Sequence, residues 1–371
     1  MLIGVPKEIK NQEYRIGLTP AGVSELVGAG HRVMIERDGG VGVGLNDADY
    51  VAAGAEIVVF AEEIFSRAEL VIKVKEPQPS ECQMLRRGQL LFTFLHLAPD
   101  PRQTELLVNS GVTAIAYETI TDDAGGLPLL APMSEVAGRL SAQQGALCLQ
   151  NSLGGSGILL GGVPGVAPAE VCILGGGVVG LNAARVALGL GADVTIVDRS
   201  LPRLRYIDEL YGDRINTLFS TTQAIREQAT RSDLIIGAIL VPGAAATKLL
   251  TRDMLKLMKP HSVVVDVAID QGGCFETSRA TTHDEPTYSV DNITHYCVAN
   301  MPGAVARTST FALTNATLPY ISKLADRGLQ ALAADRHLLA GLNVHHGMVT
   351  YRAVSETLGY AYTDPSVAIA S

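Results

Sequence analysis

At 371 residues the chain is long enough to build two domains, each with its own apolar core. A composition of 47% hydrophobic and 18% charged residues describes a soluble globular protein and excludes a disordered one. A net charge of −9 argues against nucleic acid and anionic membrane as partners.

The chain opens Met1-Leu2-Ile3-Gly4-Val5-Pro6-Lys7-Glu8, without the basic start and apolar run of a secretory leader, so a cytoplasmic location is expected. The five cysteines (Cys82, Cys148, Cys172, Cys274, Cys297) show no metal-ligand spacing. Three lie inside apolar runs, where a thiol behaves as a small hydrophobe, so a reducing compartment and no metal site are expected.

In the first third, residues 2–6, 33–36, 70–74, 90–95 and 112–116 read as strands, separated by helix-like stretches such as 19–29 and 102–110. Short, nearly continuous apolar strands alternating with helices predict a parallel sheet covered on both faces. Polar residues collect where these strands end: Lys7 and Glu8, Lys75 and Glu76, His96, then Glu118. Residues 39–44 are glycine-rich but lack fingerprint spacing. They lead to Asn46-Asp47, a helix cap, and read as a flexible surface turn.

Ala131-Pro132-Met133-Ser134-Glu135 opens a long helix over 136–150, and the Gly/Pro-rich stretch 154–168 serves as a link. The weakly charged region 140–169 is broken by glutamines, glycines and prolines and does not read as a membrane span. Val171-Cys172-Ile173-Leu174 then runs into Gly175-Gly176-Gly177-Val178-Val179-Gly180, a helix, and a second apolar strand that delivers Asp198. Strand, G-x-G-x-x-G turn, helix and acid together form a dinucleotide-binding unit. Gly175 permits the tight turn, Gly177 lets a pyrophosphate approach the backbone, and Gly180 lets helix and strand pack closely. The helix N-terminus offers free N–H groups and a positive dipole end to phosphate. Asp198 accepts hydrogen bonds from ribose hydroxyls and repels a 2′-phosphate, which favours NAD over NADP.

Further strands follow at 234–240, 263–268 and 295–299. Ligands of open α/β sheets sit beyond the carboxyl ends of the strands, so Gly175, Gly177, Gly180, Asp198, Leu240, Asp270 and Asn300 are expected to face one crevice. Beyond Arg307 the chain reads as helical, at 312–329, 336–342 and 349–358, with no further strand to extend the nucleotide sheet. The expected fold is α/β with two doubly wound parallel-sheet domains, the second a Rossmann fold. Residues 1–128 plus 307–371 make a discontinuous substrate and catalytic domain, and 129–306 the NAD-binding domain.

The first domain supplies candidates for chemistry. Arg15, in the loop after the first strand, suits a bidentate grip on a carboxylate. Lys75 ends a strand and shares its face with Lys73, but stands nearer the tip. His96 follows a strand with no other titratable group and can exchange protons near neutrality. In the second domain Asp270, at a strand tip before two glycines, is placed to trade protons if burial raises its pKa. Asp266 reads as mid-strand and structural. Asn300 and Met301 read as contacts to cofactor or substrate and Met133 as a pocket wall, with simple packing the preferred account of both methionines; Glu118 and Ser134 are weaker candidates.

Several motifs carry a resemblance. The opening eight residues with Glu13-Tyr14-Arg15-Ile16-Gly17-Leu18-Thr19-Pro20 resemble the signature shared by alanine dehydrogenases and pyridine nucleotide transhydrogenases. Lys73-Val74-Lys75-Glu76-Pro77, Phe92-Thr93-Phe94-Leu95-His96, the 131–139 segment and Asp266-Val267-Ala268-Ile269-Asp270-Gln271-Gly272-Gly273 are similar to the bacterial NAD-dependent L-alanine dehydrogenases in particular. The likeness runs nearly end to end, with Gly176 standing where alanine is common. It implies NAD-dependent oxidative deamination of L-alanine to pyruvate and ammonia, and the reverse, by a homo-oligomer that is typically hexameric. It assigns substrate carboxylate binding to Arg15 and Lys75 and acid/base work to His96 and Asp270. NAD contacts fall to Ser134, Asp198, Arg203, Ser220 and Arg279. To these it adds the backbone at Gly175, Gly177, Val178, Val179, Gly180, Ile239, Leu240, Val267, Ala268, Ile269, Val298, Ala299, Asn300 and Met301. Two other readings share this fold: the soluble subunit of a membrane transhydrogenase, and an NAD-binding protein without catalysis.

Overall fold

The computed structural model describes residues 1–239 and 247–370, and the chain divides into two compact units, Met1–Met133 with Val305–Ser371 and Ser134–Ala304. In chain order the strands begin with β1 (Leu2–Val5), β2 (Arg32–Glu36), β3 (Glu56–Val58), β4 (Leu70–Ile72), β5 (Leu90–Thr93) and β6 (Thr113–Ala116). Next come β7 (Glu170–Leu174), β8 (Asp193–Asp198), β9 (Asn216–Phe219), β10 (Leu234–Gly237), β11 (Val263–Asp266), β12 (Thr287–Val290) and β13 (Ile293–Tyr296). β14 (Leu342–His345) and β15 (Met348–Val349) lie in the tail.

Among the described residues the first unit holds a sheet in the order β15-β14-β6-β5-β4-β1-β2-β3, parallel from β6 to β3. The second holds β12-β13-β11-β10-β7-β8-β9, parallel except for β12. Each sheet winds outward from a central pair, β1 with β4 and β7 with β10. That pair is the switch point where the chain changes direction and where ligands of such sheets bind.

Local sequence explains the elements. Strands β5, β6, β10 and β11 are buried at every residue, as expected for parallel strands covered on both faces. Thr19 caps the helix Pro20–Gly28 by accepting from Gly22 N, with Pro20 preset for the first turn. Asp100 caps Pro101–Ser110, and Gly111 ends it in the left-handed conformation. Phe65, Leu91, Leu107 and Val344 fill one core, and Cys172, Ile235, Val264 and Phe275 the other. Each fully buried apolar side chain of this size contributes roughly 1.5–3 kcal/mol.

Several expectations need correction. The edge strands β3, β9 and β12 carry no apolar signature in sequence, because exposed polar residues (Glu56, Asn216, Ser289) break the pattern. The strands expected over 70–74, 90–95 and 263–268 stop two residues early, and their last residues form the tips. That expected over 295–299 lies at Ile293–Tyr296, and β10 ends at Gly237. Asp266, read as mid-strand, is the last residue of β11. The tail is not purely helical. β14 pairs antiparallel with β6, and β15 with β14. The polar residues that hid β14 are buried and satisfied: Asn343 Nδ2 donates to Thr119 Oγ1 and to Gly341 O, each at 2.9 Å. Residues 39–44 are also no loose turn. A Cβ on Gly40 would lie 2.9 Å from the Tyr50 ring, and Arg307 Nη1 donates to Val43 O. The Asn46 cap does form, as a capping box with Asp49.

His345 gives the tail strand a pH dependence. Its Nδ1 lies 2.9 Å from Thr113 Oγ1 of β6, and burial, then the charges of His346 and Arg87, push its pKa from 6.5 to about 4. Between those values the unfolded chain binds more protons, so this contribution is complete above pH 6.5 and is lost as pH falls through about 4. Urea midpoints measured from pH 7 to pH 4 should therefore fall less steeply in His345→Gln than in the parent. Identical slopes would remove the role.

Candidate active site

At the carboxyl edge of the first sheet, neighbouring tips bring the predicted groups onto β1, β4 and β5. Arg15, in the loop after β1, is only 2% exposed. Glu13 clamps it in two parallel bonds, Nε to Oε1 at 2.7 Å and Nη2 to Oε2 at 2.6 Å, while Nη1 stands 3.1 Å from Met133 Sδ. The fork is thus fixed in plane and orientation before any ligand arrives. Met133 is buried against it.

Lys73 and Lys75 have different fates. Lys73 is fully buried between Glu8 Oε2 and Glu81 Oε1, each 2.9 Å from its ammonium. Burial opposes its charge, but the two carboxylates outweigh burial and hold its pKa up. It is sealed in a structural triad. Lys75 stands 3.7 Å from Glu76 Oε2, and its carbonyl accepts from Thr93 Oγ1 of β5 at 2.9 Å. Burial disfavours the Glu76 carboxylate, yet the charges of Lys75 and Lys10 prevail and hold its pKa below the usual range.

His96 sits three residues beyond the end of β5 in the left-handed conformation, φ 49°, with its side chain 40% exposed. The Phe94 ring lies parallel to its imidazole at 5.7 Å. Glu118, on the turn Tyr117–Thr119 after β6, accepts from His96 N at 2.6 Å and from Leu95 N at 3.2 Å.

The second unit holds the nucleotide fingerprint at its own switch point. Gly175 has φ 105°, and a Cβ there would lie 2.7 Å from Ala238 O at the β10 tip. A Cβ on Gly180 would collide with Gly175 O, whereas one on Gly177 would project into open space. Only glycine therefore leaves the backbone at 177 bare for a diphosphate. The helix Val178–Gly189 begins there with no side chain capping its first turn, so the N–H groups of Val178 and Val179 face that open space with the positive dipole end. Asp198, at the β8 tip, is held by Gly176 N and Ser200 N, each at 2.7 Å. These features fit a dinucleotide with its ribose at Asp198.

The remaining predicted contacts gather unevenly. Ser220 N donates to Asp198 O at 2.9 Å, which sets Ser220 beside Asp198. Arg203 Nε donates to Gly176 O at 2.5 Å and its guanidinium lies 5.0 Å from the Tyr206 ring. Ile239 borders Gly175, and Leu240 lies outside the described residues. Val267, Ala268, Ile269 and Asp270 form a 3-10 turn after β11, in which Asp270 is exposed rather than buried. Val298, Ala299, Asn300 and Met301 follow β13, the neighbour of β11, with Asn300 left-handed at φ 62°. Arg279 is exposed and lies over the Tyr288 ring, and Ser134 is the fourth residue of the helix Ala131–Cys148.

Sequence reasoning gave no role to Glu13 or Lys248 and read Asp266 only as structural. Glu13 stands two residues before Arg15, a spacing that could have flagged it. Asp266 accepts from Ala268 N at 3.1 Å, Cys274 N at 2.9 Å and Ser278 Oγ, so it ties down the turn that carries Asp270. Lys248 Nζ donates to the carbonyls of Gly272 and Gly273, which no local pattern announces. Among the described residues no group of three His, Cys, Asp or Glu stands close enough to hold a metal.

Fold and fingerprint define a two-unit α/β dinucleotide-binding protein. The chain belongs to the alanine dehydrogenase/PNT family, whose N-terminal domain model matches residues 4–137 and whose C-terminal domain model matches 141–352. It is 62% identical over 365 residues to an alanine dehydrogenase of Halomonas elongata, covering 98% of each chain. It is 54% identical over 371 residues to one of Bacillus subtilis, covering 100% of this chain and 98% of that one. A solved L-alanine dehydrogenase structure superposes with a TM-score of 0.94 at 52% identity, covering 97% and 99% of the two chains. A transhydrogenase structure from Sinorhizobium meliloti, 23% identical with a TM-score of 0.81, shares the fold over 94% of this chain and 100% of that one.

If the ribose of a bound dinucleotide meets Asp198, Asp198→Gly removes both its carboxylate partner and the repulsion of a 2′-phosphate. A charged hydrogen bond is worth about 1.5–3 kcal/mol, so the ratio of NAD to NADP kcat/KM should narrow by roughly 10-fold or more. Steady-state kinetics with both cofactors measure it, and an unchanged ratio would place the ribose elsewhere.

Proposed function

We propose that this chain catalyses the NAD-dependent oxidative deamination of L-alanine to pyruvate and ammonia, and the reverse amination. What carries the reading is full-length identity of 62% and 54% to relatives named alanine dehydrogenase, in a chain that keeps Arg15, Lys75, His96 and Asp270. The first unit then binds substrate and the second the nucleotide. NAD, when bound, accepts the hydride that leaves Cα of alanine. L-Alanine, water and NAD are consumed, and pyruvate, ammonium, NADH and one proton are formed.

The chain's own groups manage binding and protons. Arg15, braced by Glu13, and Lys75 hold the substrate carboxylate and so fix the face of Cα. Proximity and orientation of this kind can supply roughly 7–11 kcal/mol of a barrier. His96 takes and returns protons at the substrate nitrogen and oxygen as water adds and ammonia departs, with Asp270 as second proton carrier. The left-handed tip leaves the imidazole partly exposed, as a group that meets a diffusing substrate must be. No step needs a Lewis acid, because imine hydrolysis requires proton transfer alone. No helix among the described residues is long and apolar enough to cross a membrane. We place the protein in the cytoplasm as a homo-oligomer, a hexamer by family resemblance, which sedimentation velocity tests directly.

The primary assay is NADH appearance with L-alanine and NAD at alkaline pH, without membranes or NADP. Activity only with NADP and a partner protein would favour a transhydrogenase subunit, and none at all an idle binding protein.

Arg15→Lys keeps the charge but loses the planar fork. Pyruvate binding should weaken by roughly 1–3 kcal/mol while NAD affinity changes little. Should pyruvate KM survive both Arg15→Lys and Lys75→Ala, the carboxylate is held elsewhere.

His96→Ala and Asp270→Asn should each lower kcat by roughly 10²–10⁴-fold in a folded protein. The double variant should lose less than the product of the two, since both act on one reaction. Near-normal alanine oxidation by either single variant contradicts the assignment.

A further inference from the structure

The β5 tip is held in a way the ladder cannot explain. The ladder ends at Thr93, and Phe94 N still reaches Val74 O at 3.3 Å. Beyond that, the chain turns into the left-handed conformation at His96, φ 49°, which a side-chain-bearing residue seldom adopts unless held there. Both N–H groups of this turn go to one carboxylate. Glu118 Oε1 accepts from His96 N at 2.6 Å, and both its oxygens lie 3.2 Å from Leu95 N. Gln103 Nε2 fixes the Leu95 carbonyl at 3.1 Å from the other side. Glu118 Oε1 is also 3.8 Å from the imidazole Nδ1. The carboxylate is itself largely buried, at 14% exposure, against 40% for His96. It therefore faces the backbone it braces more than solvent.

We propose that Glu118 is the positioning residue of His96. From the tip of β6 it clamps the turn at the tip of β5, and so sets where the imidazole stands and which nitrogen meets the substrate. Its negative charge beside Nδ1 favours a proton on that nitrogen and leaves Nε2 as the reactive one. Glu118 touches no reacting atom. The proposal rests on His96 being the proton carrier.

A carboxylate that only closed the sheet edge would affect stability but not the cooperation with His96. The test is a double-mutant cycle on kcat, with NAD and pyruvate KM recorded alongside. Glu118→Ala, which strands two N–H groups and frees the turn, should lower kcat by roughly 10²-fold, the scale of a small misplacement of a reacting group. KM for NAD should not change. Glu118→Gln keeps an acceptor and should recover most of that loss. In the His96→Ala background Glu118→Ala should have almost no further effect on kcat, because the group it positions is gone.

Equal losses in the two backgrounds would overturn the proposal while leaving the role of His96 intact. Normal turnover by His96→Ala alone would instead overturn the proton-carrier reading, and this inference with it. If Glu118→Ala does not fold, the cycle is run with Glu118→Gln and Glu118→Asp. There a kcat loss that persists unchanged without His96 is the refuting result.

Discussion

A parallel sheet ends badly for its backbone. Where the strands fan apart at the carboxyl edge, N–H groups lose their ladder partners just where ligands must be received, and an unpaired buried donor costs about 1–3 kcal/mol. In this protein acidic side chains, from neighbouring segments or from the strand end itself, take those donors. Glu8 accepts from Val74 N at 2.6 Å beyond β4, and Glu118 from the tip of β5. Asp198 accepts from Gly176 N beyond β7, and Asp266 from Ala268 N and Cys274 N beyond β11. Each carboxylate sits beside a predicted site residue: Lys75, His96, the glycine turn and Asp270.

This device joins stability to function in one set of contacts. The same Glu8 that satisfies Val74 N also pairs with Lys73, and the Tyr117 hydroxyl donates to the Lys73 carbonyl at 3.0 Å. Three tips of the sheet are thereby cross-linked through side chains. Burial pushes the Glu8 carboxyl upward even as Lys73 pulls it down, so the triad is a costly element held by mutual neutralisation. Its return is a fixed backbone at Lys73 and Val74, immediately before Lys75.

The two units repeat one winding, β3-β2-β1-β4-β5-β6 in the first and β9-β8-β7-β10-β11-β13 in the second, yet they hold different chemistry at the switch point. In the second, glycines leave the backbone bare and a helix N-terminus faces the gap. In the first, the loop after β1 is filled by the Glu13–Arg15 pair. A bare backbone with a positive dipole end suits phosphate, and a fixed guanidinium suits a carboxylate. The fold is shared, and the side chains at its edge divide the work.

Residue type alone determined a good deal. The apolar runs at 171–174 and 193–197, the glycine spacing and Asp198 follow from local stereochemistry, and the structure keeps them where the pattern put them. His96 and Lys75 were legible because a lone polar group after an apolar strand must lie at its tip. Strand ends were misjudged because a tip residue such as Val74 or Val267 is as apolar as the strand it follows. What stops the strand is the neighbour's end, which is not local. β14 escaped notice because Asn343 and His345 look solvent-facing until Thr119 and Thr113, more than 200 positions away, supply their partners. Glu8 and Glu118 were legible as polar residues at strand ends and Asp266 as structural, but not the N–H groups they brace. For Glu8 and Glu118 the lateral order of the strands decides which orphan N–H each one meets, whereas Asp266 meets those of the turn that follows it.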